Sequence, residues 1–104
     1  MAIIVREDTS LFDAAEKMRK EKSRLIFVVD HSDKLVGVIS QGDLLKISNF
    51  AAPLNSCMEM NPVYLFDKDR SRALEMMKKY QFSEIPIVNK NFTISDVVSI
   101  WDLI

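Results

Sequence analysis

The sequence predicts a mixed α/β (α+β) fold in which two β-α-β-β-α repeats pack about a pseudo-twofold axis. The main observation is internal similarity, because residues 14–45 align without a gap to residues 73–104 and the second copy starts 59 residues after the first. A duplicated supersecondary unit commonly buries its apolar face against its own copy. Identical pairs include Ala14 and Ala73, Met18 and Met77, Ile26 and Ile85, Val29 and Val88, Ser40 and Ser99, and Asp43 and Asp102.

Composition narrows the class of protein. A chain of 104 residues with 48% apolar residues and only 2 Gly and 3 Pro is expected to form one compact domain. With 14 basic and 15 acidic residues the chain lacks the surplus of positive charge that a nucleic-acid binder needs. This charge balance is still compatible with binding of a small anionic ligand. A single cysteine, Cys57, no apolar run of membrane-spanning length and no signal-like N-terminus predict a cytoplasmic protein with no membrane segment here.

The first repeat is predicted to run strand, helix, strand, strand, helix. Runs rich in β-branched residues favour strands. Thr9 or Ser10 can cap the first helix. Five consecutive apolar residues from Leu25 indicate a strand buried on both faces. Gly37 lies inside a strand, which indicates a bulge or a close approach by backbone or ligand. The predicted elements are strand Ile3 to Val5, a helix from Leu11, strands Leu25 to Val29 and Leu35 to Ser40, and a helix from Gly42.

The second repeat follows a connector. We expect residues 1–48 to form the first repeat, 49–62 the connector with a helical turn over Ser56 to Met60, and 63–104 the second repeat. The first repeat continues past the point equivalent to Ile104, so we expect the last helix to be clipped and the chain to be cut from a longer protein. The predicted elements are strand Val63 to Leu65, a helix through Ala73 to Met77, strands Ile85 to Val88 and Ile94 to Ser99, and a helix from Trp101.

These motifs, taken together and in register, resemble a tandem pair of cystathionine β-synthase (CBS) domains, often called a Bateman module. The pieces that carry the resemblance are Leu-x-x-Ala-Ala-x-x-Met from Leu11, the strand ending at Asp30, Gly-Val-Ile-Ser-x-x-Asp-Leu from Gly37, their second-repeat counterparts, and Cys-Met-x-x-Asn-Pro-Val from Cys57. The resemblance implies a regulatory module, not an enzyme, that binds AMP, ADP, ATP or S-adenosylmethionine between the repeats. It also implies stacking of modules as a homodimer and fusion to an enzyme or transporter. The Ser40-x-Gly42-Asp43 segment and the connector are similar to those of CBS pairs attached to nucleotidyltransferases, and other fusions fit as well.

The candidate site lies where the strand from Leu35 ends. Ser40 and Asp43 flank a strand-to-helix turn, where a carboxylate can accept both ribose hydroxyls and a hydroxyl with helix N-H groups can meet phosphate. Gly37 and Gly42 permit close approach. The resemblance assigns Asp43 to ribose and Ser40 to phosphate, but the same pair also suits a plain helix cap.

The second copy keeps Ser99 and Asp102 but departs elsewhere. Asp96 replaces the glycine, which predicts repulsion of a phosphate, and Trp101 suits either base stacking or a packing anchor. Pro86 has no backbone N–H, so the place of that donor in the strand pairing is left open to a ligand amine. The predicted ligand-binding set also includes Ile26 and Ile85. Lys22 and Arg24 can meet a phosphate or simply lie on the surface.

Two functions therefore remain open. One is a sensor of adenine nucleotides that controls an attached domain. The other is a ligand-free dimerisation or interaction module, for which Phe12, Met76, Tyr80 and Phe82 supply apolar surface. An enzyme is disfavoured, since the chain has one His, one Cys and no nucleophile or metal-ligand motif.

Overall fold

The protein is mixed α+β with two small sheets, as the sequence predicts. The computed structural model describes residues 3–104. The chain divides into two compact units, the first extending through Pro62 and the second spanning Val63–Ile104, so the connector belongs to the first unit. Each unit is described by itself, and packing about a pseudo-twofold axis stays a prediction. None of the helices found within residues 3–104 is long and apolar enough to cross a membrane.

The first unit is a three-stranded sheet with helices packed on it. Its strand order is β1-β2-β3, with β1 parallel and β3 antiparallel to the central β2. In chain order its elements are β1 (Ile3–Arg6), α1 (Leu11–Glu21), β2 (Leu25–Val29), β3 (Leu35–Ser40), α2 (Gln41–Leu45) and a 3₁₀ turn (Leu54–Ser56).

The core of this unit forms around β2, because all five of its residues are buried. Helix α1 buries Leu11, Ala14 and Met18, the spacing expected of one apolar helix face. Ser10, not Thr9, caps that helix: the Asp13 N–H donates to Ser10 Oγ at 3.0 Å.

The connector forms the predicted helical turn earlier than expected, as the 3₁₀ turn Leu54–Ser56, and the predicted extension to Met60 is wrong because Glu59 adds to the sheet. Glu59 pairs with Val38 through two backbone hydrogen bonds, of 3.1 Å from the Val38 N–H and 2.8 Å from the Glu59 N–H. A Cβ on Gly37 would lie 2.6 Å from Met58 Sδ and 3.1 Å from the Glu59 carbonyl oxygen. The predicted close approach at Gly37 is therefore confirmed, and the group that approaches is the connector.

The second unit repeats the pattern with fewer regular residues. The predicted last helix from Trp101 is a 3₁₀ turn, and the predicted strand Val63 to Leu65 is a single parallel bridge between Leu65 and Ile87. In chain order its elements are α3 (Arg70–Tyr80), β4 (Glu84–Val88), β5 (Ile94–Ser99) and a 3₁₀ turn (Ile100–Asp102).

Pro86 explains the shortened strand. The Leu65 N–H donates to the Pro86 carbonyl at 3.0 Å and the Val88 N–H donates to the Leu65 carbonyl at 2.9 Å. The next bond of such a parallel ladder would run from the residue 86 N–H to the Val63 carbonyl, and proline has no N–H. In the first unit the equivalent residue is Phe27, and β1 there pairs over four residues.

Gly37 and Gly42 give a matched pair for testing the connector contact. We expect Gly37→Ala to lower the free energy of unfolding by about 1–3 kcal/mol, because the methyl group overpacks against Met58 and Glu59. Gly42→Ala is the control: its Cβ would meet only Ser40 Oγ, at 3.6 Å, and a helical Gly→Ala change is neutral or stabilising by up to about 1 kcal/mol. Urea denaturation measures both. Equal stability of the two variants would contradict the contact.

Candidate functional site

The first corner, defined as the turn from β3 into α2, is fixed by a reciprocal pair of hydrogen bonds. The Asp43 N–H donates to Ser40 Oγ at 3.1 Å, and the Ser40 N–H donates to Asp43 Oδ2 at 2.9 Å. This is a capping box, so the structural role that the sequence allowed for these residues is real. Both side chains are partly buried, which positions them without closing them off.

The box leaves ligand-binding capacity at the corner. A carboxylate has two oxygens with about four acceptor sites, and Oδ2 uses one of them for the cap. The Ser40 hydroxyl accepts one bond and still has its own proton to donate. Gly42 is exposed, and beside its backbone a Cβ would meet only Ser40 Oγ. An acceptor oxygen, a hydroxyl donor and an uncovered backbone thus lie within one turn.

The connector lies beside this corner. Burial, and then the negative charge of Asp43, raise the pKa of the Cys57 thiol. Cys57 and Met58 pack against the core of the first unit. Cys57 is therefore a protonated packing residue near neutral pH and does not supply a nucleophile.

The second corner, the turn after β5, is similar but more open. The Ser99 N–H donates to Asp102 Oδ2 at 2.9 Å, and Asp102 is exposed. Arg70 donates to the Leu103 carbonyl from Nε at 3.0 Å and from Nη2 at 2.7 Å, which ties this turn to the start of α3. Trp101 is 78% exposed, so it does not anchor the core of the second unit.

Asp96 is charge-paired, which changes its predicted effect. Lys68 forms an ion pair with Asp96 Oδ2, and the Val97 N–H donates to Oδ1 at 2.8 Å. The Lys68 hydrogen bond first, and then the Val97 N–H, hold the pKa of Asp96 below its usual range. Asp96, and to a lesser degree Asp102, raise the pKa of Lys68. The positive charge of Lys68 therefore offsets the repulsion that the sequence predicts between the Asp96 carboxylate and a phosphate.

The remaining predicted residues lie within the strands. Ile26 and Ile85 are 0% exposed in the cores of their respective units, so their side chains present no surface to a ligand in this structure. Pro86 is also buried, and its missing N–H leaves the Val63 carbonyl without the ladder donor described above. Sequence reasoning missed Lys68, because nothing local to Lys68 points to Asp96, which lies 28 positions later in the sequence.

Each unit also has a cavity at the end of its long helix. The cavity of the first unit is about 470 Å³ and that of the second about 280 Å³. Lining residues of the two cavities correspond at the 59-residue spacing of the repeats, for example Met18 with Met77. Two lining residues of the first cavity, Lys22 and Arg24, are those that the sequence predicts either to meet a phosphate or to lie on the surface.

Comparison with known proteins matches two domains of one family to this chain. The family model described as "CBS domain" matches residues 2–49 and 58–104. Inosine-5'-monophosphate dehydrogenase of Aquifex aeolicus is 27% identical over 106 residues; the match covers 98% of this chain but only 22% of that enzyme.

Two solved structures share the fold. The crystal structure of CBSX2 in complex with AMP matches with a TM-score of 0.85 and 22% identity, covering 96% of this chain and 82% of that one. The cytosolic domain of the Mg²⁺ channel MgtE in complex with ATP matches with a TM-score of 0.83 and 24% identity, covering 98% and 43%. With two matched domains spanning nearly the whole sequence, the chain belongs to the CBS domain family as a tandem pair.

Proposed function

We propose that this CBS pair is a regulatory module that binds an adenine nucleotide, or a related adenosyl ligand such as S-adenosylmethionine, and modulates an attached enzyme or transporter domain. The observation that carries the proposal is the first corner, whose carboxylate keeps an acceptor oxygen and whose serine keeps a hydroxyl donor after both have formed the cap. The fold relatives in complex with AMP and ATP support the ligand class. The match covers only 22% of the Aquifex dehydrogenase, so in that relative the matched region is part of a longer protein, which supports an attached domain here.

The proposed contacts follow from donor and acceptor chemistry. Asp43 Oδ1 accepts the hydroxyls of a ribose, and the Ser40 hydroxyl donates to a phosphate oxygen. A nucleotidyltransferase as the attached domain, and a cytoplasmic location, stay predictions.

The ribose contact is testable with an isosteric change. We expect Asp43→Asn to weaken AMP or ATP binding by about 1.5–3 kcal/mol, or about 10- to 150-fold in Kd, because a charged acceptor is lost while an amide oxygen can still accept from the Ser40 N–H. Isothermal titration calorimetry measures the change. The dideoxy analogue of the same nucleotide, which has no ribose hydroxyls, should bind both proteins equally.

Asp102→Asn is the matched control, since it makes the same change at the second corner. Wild-type affinity of the Asp43→Asn variant for the ribonucleotide would remove Asp43 from the site. An equal loss with the dideoxy analogue would assign the effect to folding, not to ribose.

The second corner yields a separate electrostatic prediction. A depressed pKa of Asp96 means that its contribution to stability is present at pH values above its unfolded pKa, which is about 3.9, and is lost as the pH falls through the folded pKa. We expect Lys68→Gln to raise the Asp96 pKa and to reduce this acid-dependent part of stability. Carboxyl NMR titration measures the pKa, and Lys90→Gln, at an exposed turn residue, is the control. An unchanged Asp96 titration in Lys68→Gln would contradict the pairing.

A specific observation favours the alternative, a dimerisation or interaction module. Leu45 is 83% exposed and Ile104, its counterpart in the second repeat, is 75% exposed. Phe12 on α1 is 61% exposed and Tyr80 43%, whereas Met76 and Phe82 pack against the core of the second unit and supply less free surface than expected. Large apolar side chains exposed at equivalent repeat positions are typical of an interface.

The interface is testable by charge introduction. If copies of the chain associate through these helices, Phe12→Lys with Leu45→Lys should shift the protein to monomer in light scattering, because a buried unpaired charge is costly. Phe66→Lys is the control, as Phe66 is 62% exposed but lies outside the helices. A wild-type protein that is monomeric at high micromolar concentration would rule out this interface.

A further inference from the structure

The two units differ in what borders the outer edge of their last strand. In the first unit, β3 receives the connector, and Val38 exchanges backbone hydrogen bonds of 3.1 and 2.8 Å with Glu59. Val97 of β5 is the counterpart of Val38, 59 positions later in the sequence. Within residues 3–104, however, no strand or bridge pairs with β5 on the side away from β4. Among the described residues β5 is therefore an edge strand.

An edge strand offers its backbone groups to other strands, which makes it a place where two chains can pair. The exposure of the two repeats reflects this difference. Gly37 and Val38 are buried where the connector packs, whereas Asp96 is exposed and Val97 is partly exposed. An antiparallel partner at β5 would meet both the N–H and the carbonyl of Val97, since residues paired at such a position exchange both bonds.

The Val97 N–H is already occupied by a side chain. It donates to Asp96 Oδ1 at 2.8 Å, whereas the equivalent N–H of the first unit donates to the Glu59 carbonyl. Lys68 binds Oδ2 of the same carboxylate. The carboxylate is thus held between a cation and the backbone, with Oδ1 at the edge of the strand. A local side-chain bond of this kind competes with strand pairing for the same N–H.

A second N–H of β5 is capped by a carboxylate as well. The Ser99 N–H donates to Asp102 Oδ2 at 2.9 Å. The first unit has the same bond between Ser40 and Asp43, so this cap belongs to the fold that both units share. Only the cap at Val97 is specific to the second unit.

The residue before this N–H decides whether a strand is admitted. In the first unit it is Gly37, and a Cβ there would lie 3.1 Å from the Glu59 carbonyl oxygen. In the second unit it is Asp96, whose side chain both forms the cap and occupies space beside the edge. Charged side chains on an edge strand are a common means of preventing edge-to-edge association.

We propose that Asp96 is an edge guard, which keeps β5 from pairing with the β5 strand of a second copy of this chain. Two β5 edges are self-complementary, because Val97 of each copy can exchange both backbone bonds with its counterpart about a twofold axis. A second copy can form these bonds only after the bond between Asp96 and the Val97 N–H has been broken. The guard does not depend on the nucleotide site proposed above, which uses Ser40 and Asp43.

Asp96→Gly tests the guard, because it places at position 96 the residue that the first unit has at the equivalent position. Asp96→Asn is the matched control: it removes the same charge but keeps an oxygen that can accept from the Val97 N–H. Sedimentation velocity over a concentration series measures self-association. We expect Asp96→Gly to associate at least about tenfold more tightly than wild type, and Asp96→Asn to stay within about twofold of it.

Hydrogen exchange locates the contact and also tests the wild-type protein directly. In wild type the Val97 amide should exchange at least about tenfold more slowly than in an unfolded chain, because Asp96 accepts its hydrogen bond. In Asp96→Gly, protection of this amide should rise with protein concentration. Exchange of the wild-type Val97 amide at the unfolded rate would overturn the guard. That result decides the matter even if Asp96→Gly does not fold, which urea denaturation reports.

Three results with the folded variants would also overturn the proposal. Association of Asp96→Gly no tighter than that of wild type would show that β5 does not pair once the cap is removed. Equal association of Asp96→Gly and Asp96→Asn would assign the effect to charge and not to the cap. Association without concentration-dependent protection of Val97 would place the contact on another surface, such as the exposed helices.

Discussion

The rest of each unit depends on the burial of one central strand. All five residues of β2 are buried, and four of the five residues of β4 are buried. A strand covered on both faces needs a helix on one face and partners on its edges, which forces the chain to turn sharply where the next strand leaves the core. That turn is the Ser40–Asp43 corner in the first unit and the Ser99–Asp102 corner in the second. The candidate chemistry therefore lies where the core imposes the turn.

Differences between the units arise from a few substitutions on this shared frame. Gly37 admits the connector to the edge of β3, whereas its counterpart Asp96 carries a side chain that pairs with Lys68. Phe27 keeps the ladder donor that Pro86 removes, so β1 pairs over four residues and its counterpart is one bridge. Each difference changes access to a corner: the connector approaches the first, and an ion pair lies near the second. The units are thus alike in fold and unlike in the groups that they present at their corners.

Sequence prediction is accurate here for features that depend on neighbouring residues and fails for those that depend on residues far apart in the sequence. The bounds of β2 and β3 and the Ser40–Asp43 turn were predictable, since they depend on local apolar runs and on a cap within four residues. The bounds of the helical turn in the connector were predicted wrongly, because Glu59 pairs with Val38, 21 positions earlier in the sequence, and the turn is confined to Leu54–Ser56. The Lys68–Asp96 pair could not be predicted from the sequence for the same reason, because the two residues lie 28 positions apart. Burial of Ile26 follows from the strand pattern, whereas a ligand role for it came only from family resemblance.

The hydrogen bonding of the first corner also limits how tightly that corner alone can bind. Cap formation occupies Asp43 Oδ2 and one acceptor site of Ser40, which leaves two or three hydrogen bonds to a ligand, each contributing about 1.5–3 kcal/mol where charge is involved. Association itself costs at least about 4 kcal/mol. A corner with only these bonds gives weak affinity, so a physiologically useful ligand needs further contacts with apolar or cationic groups. Since Ile26 and Ile85 are fully buried, such contacts must come from exposed side chains or backbone, and those are the groups that differ between the repeats. Ligand selectivity should therefore be set by the divergent residues around each corner more than by the Ser and Asp that both corners share.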